Sequence, residues 1–191
     1  MLHKGLQSQL QKEYAANRTM RHKLIGQSND ALKSAKQAIF SLHRGDKKKA
    51  KATLAALKKT FKDLQAGLLK KNAQLKLQGA YLAAVEEYVE AELFYQALTG
   101  KQIKPVAGLE IGAEQYIGGL CDMTGELTRQ AVMKATAKDF AAVEEYTKIV
   151  EEVVGTLIKF DLVGHYRQKY DDAKRNLKRL EGIRYDISLR E

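Results

Sequence analysis

Proline, cysteine and tryptophan are nearly missing from this sequence of 191 residues, which contains one proline, one cysteine and no tryptophan. A single proline leaves little material for the many turns of a β-sandwich or a β-barrel. The lone cysteine, Cys121, excludes an internal disulfide framework and a CxxC zinc site, and it fits a reducing compartment. These absences favour a helical protein without covalent cross-links.

Long uncharged runs are also lacking. The longest stretch without a charged side chain is residues 77–85, far below the roughly 18 apolar residues that a membrane-spanning helix needs. Residues 1–12 alternate polar and apolar side chains and have no apolar core of the kind found in a secretory signal. We therefore expect a cytoplasmic protein with no membrane partner.

Strong helix formers make up much of what is present, because the sequence is rich in Ala, Leu, Lys, Glu and Gln. A chain of this length buries roughly 70% of its extended surface on folding, so its hydrophobic core needs no disulfide or metal cross-links for stability. The sequence predicts an all-α fold: one helical domain over residues 1–191, arranged as an antiparallel bundle of about six to seven helices.

Apolar periodicity and helix breakers locate the predicted helices. Asp46 is suited to cap a helix N-terminus, and Gly100 is suited to follow a helix C-terminus. Residues 101–112, around Pro105, form the main internal loop. The predicted helices cover residues 6–43, a basic amphipathic segment after Asp46, and residues 72–99, 113–135, 139–160 and 166 onward.

Positive charge is concentrated in the first part of the chain. Residues 1–79 carry 18 Lys or Arg against 4 acids, whereas residues 80–191 carry 15 against 19, within a total net charge of +10. A basic surface of this kind attracts a polyanion such as nucleic acid without sequence preference. The alternative is an ordinary solvated helix face, and charge alone does not choose between the two.

Four carboxylates lie where the helical pattern places apolar core, and we call them the quartet: Glu87, Glu90, Asp122 and Glu126. The two glutamates of the third helix are three residues apart, and the two acids of the fourth are four apart, so each pair shares one helix face. Unpaired acids on a buried face are expensive. Glycine also costs roughly 1 kcal/mol relative to alanine in a helix, and the three near the second pair clear space around it: Gly118, Gly119 and Gly125.

The spacing leaves two interpretations of the quartet open. Four oxygen donors from two helices suit a hard divalent cation, Mg²⁺ or Mn²⁺, which could activate water and stabilise charge on a phosphate. Iron is disfavoured because the ferritin-like pattern requires Glu-x-x-His, which neither helix contains. Alternatively, the acids pair with lysines of neighbouring helices.

Other reactive side chains give weaker signals. The histidines His22, His43 and His165 lie on different predicted elements and are interpreted as structural. Arg129 lies one turn beyond Glu126, where it would either hold a phosphate or form a salt bridge that orients Glu126.

Five strings of the sequence, in this order along the chain, resemble the translin superfamily. They are AIFSLHR at 38–44, EYVEA at 87–91, YIGG at 116–119, DMTGELTR at 122–129 and YDISLR at 185–190. The superfamily has two branches: translin itself, which binds nucleic acid, and translin-associated factor X, the catalytic subunit of their endoribonuclease complex. The strings span nearly the whole chain.

The resemblance implies a function for the quartet. In the catalytic branch, the matching acids bind metal and cut RNA, and all four are present here, as in single-subunit prokaryotic members. The family also implies an all-helical subunit in a hollow octamer whose interior receives single-stranded RNA. The chain departs from the family pattern in two ways. It has only the loop at residues 101–112 where the eukaryotic catalytic subunit has a long insertion, and it has no counterpart of translin's Arg- and His-rich nucleic-acid-binding segment.

The primary hypothesis is an endoribonuclease that cleaves single-stranded RNA with Mg²⁺ or Mn²⁺ as cofactor, by a mechanism that also permits single-stranded DNA. Glu90, Asp122 and Glu126 would hold the metal, and Glu87 would complete its shell or orient the attacking water. The alternatives are a translin-type protein that binds single-stranded RNA or DNA without turnover, and a helical scaffold with a structural cation. The residues predicted from charge to contact phosphates are Lys47, Lys51, Lys58, Lys62, Lys70, Lys71 and Arg129.

Overall fold

Helices account for most of the chain that the computed structural model describes, residues 3–189. The six α-helices in this range are α1 (Lys4–His43), α2 (Lys47–Leu64), α3 (Gly79–Leu98), α4 (Ala113–Thr136), α5 (Phe140–Leu157) and α6 (Gly164–Ser188). No strand occurs between residues 3 and 189, so the predicted all-α class is confirmed. Arg190, the last residue of the YDISLR string, lies outside the described residues.

Local signals set most helix ends as predicted. The Asp46 side chain accepts a hydrogen bond of 2.9 Å from the Lys49 backbone N–H and so caps α2. Gly45 and Gly100 have φ angles of 77° and 64°, the left-handed conformation that glycine adopts readily after a helix. The loop predicted at residues 101–112 is present between α3 and α4.

The predicted start of the third helix at Asn72 is wrong. The Asn72 side chain accepts a hydrogen bond of 3.1 Å from the Gln74 backbone and starts a separate 3₁₀ helix, Ala73–Leu77. Gln78 is extended, and α3 begins only at Gly79. The apolar spacing continues through this break, which is why the pattern suggested one helix.

The helices pack as two groups that meet at α3 and α4. The first helix packs on α2 and α3, while α4 packs on α3, α5 and α6. The predicted apolar stripe of α2 is buried along its whole length: Ala50, Leu54, Leu57, Phe61 and Leu64. Among residues 3–189, no helix is both long and apolar enough to cross a membrane. The contact between α3 and α4 therefore positions the quartet.

Candidate active site

The quartet lies at the contact between α3 and α4, with one pair of acids on each helix. Glu90 is the most buried of the four, with only 7% of its surface exposed. Among the described residues, Glu90 has no ion-pair or hydrogen-bond partner. A buried carboxylate without a partner is unusual because its charged form loses water and gains nothing in return.

The two pairs of acids influence each other electrostatically at Glu90. Burial raises the pKa of Glu90 to about 9, and the negative charges of the three other quartet members act in the same direction. Burial also raises the pKa of Glu87, and Asp122 and Glu126 on α4 add to that increase. The four predicted acids therefore lie near enough to one another for their charges to interact.

Nitrogens from other helices contact three of the four carboxylates. The Lys36 ammonium of α1 lies 3.7 Å from the Glu87 carboxylate, but most of the lysine is exposed, and exposed pairs stabilise little. Lys169 of α6 contacts Asp122. The imidazole Nε2 of His43, at the end of α1, contacts Glu126.

His43 is held rigidly between its neighbours. Its Nδ1 lies 2.9 Å from the Gln130 side-chain nitrogen. The centroid of its ring lies 5.2 Å from that of the Phe94 ring. With the Gln130 amide oriented in this way, Nδ1 accepts the hydrogen bond, and Nε2 carries the proton that is donated to Glu126. His43 is thus a satisfied histidine, as predicted, but its partner is a member of the quartet.

Two glycines of α4 leave space for groups of α3. A Cβ atom on Gly119 would lie 2.9 Å from the Glu90 backbone nitrogen, so only glycine allows this closeness of the helices. A Cβ atom on Gly118 would lie 2.2 Å from the Glu86 carboxylate. A Cβ atom on the third glycine, Gly125, would make only an ordinary van der Waals contact, 3.5 Å from the Asn176 side-chain nitrogen.

The chemistry of the quartet fits a hard divalent cation, because its four carboxylates supply oxygen ligands and Glu90 lacks a partner within the part of the chain that the structure describes. As the side chains stand, no group of three or more His, Cys, Asp or Glu residues between positions 3 and 189 could hold a metal ion. Three of the acids instead face the protein nitrogens of Lys36, Lys169 and His43. A bound cation would therefore have to compete with these nitrogens.

The basic residues predicted to contact phosphates lie on α2, shortly after it and on α4. Lys47 donates a hydrogen bond to the Leu98 carbonyl at the end of α3, and Lys62 lies against the loop at Gly108. Arg129 is exposed, and Glu126 contacts His43 rather than Arg129. The remaining predicted lysines are exposed or half-buried on and after α2: Lys51, Lys58, Lys70 and Lys71.

Sequence reasoning missed three residues that contact the quartet or extend it: Lys36, Lys169 and Glu86. The acids on predicted buried faces indicated that a cation must lie near them, but nothing in the sequence around Lys36 or Lys169 distinguishes these two lysines from the many others in the chain. Glu86 directly precedes the first quartet member and contacts Lys169 at 3.1 Å. Cys121 is buried, and burial raises the pKa of its thiol to about 12, which does not suit a nucleophile.

A family model of known proteins, described as the Translin family, matches residues 19–191. The chain belongs to the Translin family. This assignment agrees with the resemblance carried by the five strings, three of which lie on α3 and α4, the helices that carry the quartet.

The relatives that this chain matches are distant in sequence. An uncharacterized protein of Methanocaldococcus jannaschii is 26% identical over 177 residues, which cover 88% of this chain and 77% of that protein. Human translin is 26% identical over 119 residues, covering 58% of this chain and 51% of translin. The match therefore spans about half the length of translin.

Solved structures share the fold over nearly the whole chain. The structure of AfC3PO in complex with duplex RNA superposes with a TM-score of 0.87 at 20% identity, covering 96% of this chain and 97% of that one. The crystal structure of apo-NeC3PO gives a TM-score of 0.84 at 22% identity, covering 97% of both chains. At these identities the likeness establishes the translin-type fold.

Proposed function

We propose that this Translin-family protein is a metal-dependent endoribonuclease of the catalytic branch. One observation carries the proposal: Glu90 is buried, lacks a partner among the described residues and lies beside three further carboxylates. A purely structural helix contact gains nothing from four acids in one place, since like charges disfavour one another. A site that binds a divalent cation requires such an arrangement.

Each residue of the quartet has a role in this proposal. Glu90, Asp122 and Glu126 would hold Mg²⁺ or Mn²⁺, and Glu87 would complete the shell or orient the attacking water. When bound, the cation would supply Lewis-acid stabilisation of charge on the phosphate and a more acidic water. His43 keeps the Glu126 carboxylate in place by donating a hydrogen bond to it.

RNA is the proposed substrate on three grounds. The chain is basic overall, with its positive charge concentrated in residues 1–79, and such surfaces bind nucleic acid through phosphates. The chain belongs to the family named after translin, and a similar fold has been solved with duplex RNA. We propose single-stranded RNA as the substrate, single-stranded DNA as a further ligand, and a homo-octamer as the assembly.

The test uses a labelled single-stranded RNA with Mg²⁺ or with EDTA, and it follows both retention on a filter and cleavage on a gel. The wild-type protein should cut with Mg²⁺, leaving 5′-phosphate and 3′-hydroxyl ends, and should stop with EDTA. Glu90→Gln, which keeps the shape of the side chain, should lower cleavage by at least about 100-fold and leave RNA retention within about threefold of wild type. Glu92→Gln, on the same helix outside the quartet, is the matched control.

Two results would contradict the proposal: cleavage that persists in EDTA, or cleavage by Glu90→Gln at the wild-type rate. A protein that retains RNA but yields no product after long incubation would be the binding module without turnover. That second function is favoured by the protein nitrogens that face three of the carboxylates. A stable monomer by solution mass measurement would remove only the octamer.

A further inference from the structure

Lys169 is the most buried lysine at the candidate site. Its side chain is 15% exposed, and its ammonium group contacts two carboxylates at once, those of Asp122 on α4 and Glu86 on α3. The lysine itself comes from α6, so three helices meet at this one group. By comparison, the Lys36 side chain is 61% exposed, and its ammonium group lies 3.7 Å from the Glu87 carboxylate.

Glu86 has space provided for it on the opposite helix. Its carboxylate lies where a side chain on Gly118 would begin, because a Cβ atom there would be 2.2 Å from a Glu86 oxygen. Glycine at position 118 therefore lets Glu86 reach across the helix contact to Lys169. The pair of Glu86 and Lys169 is consequently built by two helices and a glycine rather than by chance contact on a surface.

An ammonium group shared by two carboxylates has two states available. It sits between both acids, as in this structure, or it stays with Glu86 when Asp122 takes another partner. In the second state the lysine keeps a fixed position beside Asp122, and the N–H that was directed at Asp122 becomes available to a new acceptor. A fixed, partly exposed ammonium group beside the acids is suited to a phosphate oxygen.

We infer that Lys169 contacts the RNA phosphate at this site and that Glu86 is the positioning residue that holds it there. The inference rests on the proposed function, because it gives the site a phosphate ligand. It also makes Lys169 a competitor for Asp122. Removing this ammonium group should therefore weaken RNA binding and at the same time strengthen the binding of a divalent cation.

The experiment measures two affinities separately in intact protein: Mn²⁺ by calorimetry without RNA, and labelled single-stranded RNA by filter retention with Ca²⁺. Lys169→Met should bind RNA about tenfold more weakly or worse and bind Mn²⁺ about tenfold more tightly, because a competing charge is gone. Lys169→Arg should restore RNA binding to within about threefold of wild type. Lys174→Met is the matched control, since Lys174 lies on the same helix and pairs with Asp171 at 2.6 Å.

A second variant changes no charge. Gly118→Ala should displace the Glu86 carboxylate from Lys169, and it should therefore weaken RNA binding together with Mn²⁺ binding, because Lys169 is left to Asp122 alone. Glu86→Gln should act in the same direction. The opposite Mn²⁺ responses of Lys169→Met and Gly118→Ala separate a phosphate contact from a general loss of structure.

Unchanged RNA affinity in Lys169→Met, or a loss of both affinities in that variant with a lowered unfolding midpoint, would overturn the inference. Failure of the proposed nuclease function looks different. A wild-type protein that never cleaves RNA would overturn the nuclease, whereas the two affinity measurements would still decide the role of Lys169.

Discussion

At Glu90, the apolar surroundings of α3 meet three further negative side chains. The residue is 7% exposed, and burial raises its pKa to about 9. Since an ordinary glutamate has a pKa of 4.5, the folded protein retains a proton at neutral pH that the unfolded chain releases. Metal-free protein should therefore lose stability as the pH rises from about 4.5 to about 9, because the native state binds more protons across this window.

Glu90→Gln should remove this penalty. In EDTA at pH 8, we expect the variant to be more stable than the wild type by on the order of 1–3 kcal/mol, equivalent to about 2–4 °C in Tm for each kcal/mol in a chain of this size. At about pH 5 the two proteins should melt together, because the penalty has almost vanished there. Thermal unfolding at the two pH values is the measurement, and equal Tm values at the higher pH would contradict the burial argument.

His43 joins the quartet to the interior of the bundle through Gln130. Replacing the histidine by phenylalanine preserves ring packing against Phe94 but leaves Gln130 and Glu126 without their hydrogen-bond partner. We expect His43→Phe to lower the free energy of unfolding by about 1–3 kcal/mol. The measurement is urea denaturation.

A double-mutant cycle checks the cause of that loss. His43→Phe, Gln130→Leu and the double variant should give a coupling energy above about 0.5 kcal/mol, as residues in one hydrogen-bond network do. Additive losses would mean that the histidine acts by packing alone.

The helix pair α3 and α4 depends on glycine at its closest point. Gly119→Ala should destabilise the protein by about 1–3 kcal/mol, because the added Cβ would lie 2.8 Å from the Val89 side chain and 2.9 Å from a backbone nitrogen of α3. Intrinsic helix propensity works in the opposite direction by about 1 kcal/mol. The control is Gly155→Ala in α5, where nothing lies within 4 Å, and it should raise Tm. A gain in Tm for both variants would contradict the claim that α3 and α4 approach too closely at Gly119 to admit a side chain.

The loop between α3 and α4 is ordered by two glutamines. Gln65 exchanges hydrogen bonds with the backbone of Glu110, at 2.7 and 3.0 Å, and Gln96 does the same with Lys104, at 3.3 and 2.8 Å. Each glutamine amide thus satisfies the backbone N–H and C=O of one loop residue, which would otherwise lack partners because the loop forms no helix or strand. Gln65 opens the π-helical turn after α2, so this local irregularity lies where the loop is fastened.

Across the whole molecule, the lysines of α2 and the quartet lie on different elements. The cations that affect the pKa of Glu87 are Lys36 and Lys169, from α1 and α6, and neither comes from α2. The lysines of α2 therefore add a general field and not a local counter-charge for the acids. If RNA lies along α2, its affinity should fall with salt in proportion to the number of phosphates bound.

The α2 surface can be tested by its salt dependence. Lys51→Gln combined with Lys62→Gln should weaken binding of single-stranded RNA, and it should reduce the slope of log affinity against log salt by about 0.7 for each phosphate that is no longer neutralised. Lys148→Gln on α5 should leave the slope unchanged. An unaltered slope in the double variant would show that RNA does not bind along α2.

The sequence by itself determined the helical class, most helix ends and the identity of the four acids. These features follow from local rules, since capping by Asp46 and the pairing of acids on one helix face involve residues within one turn. Only the tertiary structure decided which nitrogens face the acids. The contact of Lys169 with Asp122 depends on how α6 is rotated against α4, and that of His43 with Glu126 on how α1 ends beside α4. Such contacts join residues far apart in the chain, and they are set by the packing of whole helices rather than by any neighbouring pattern.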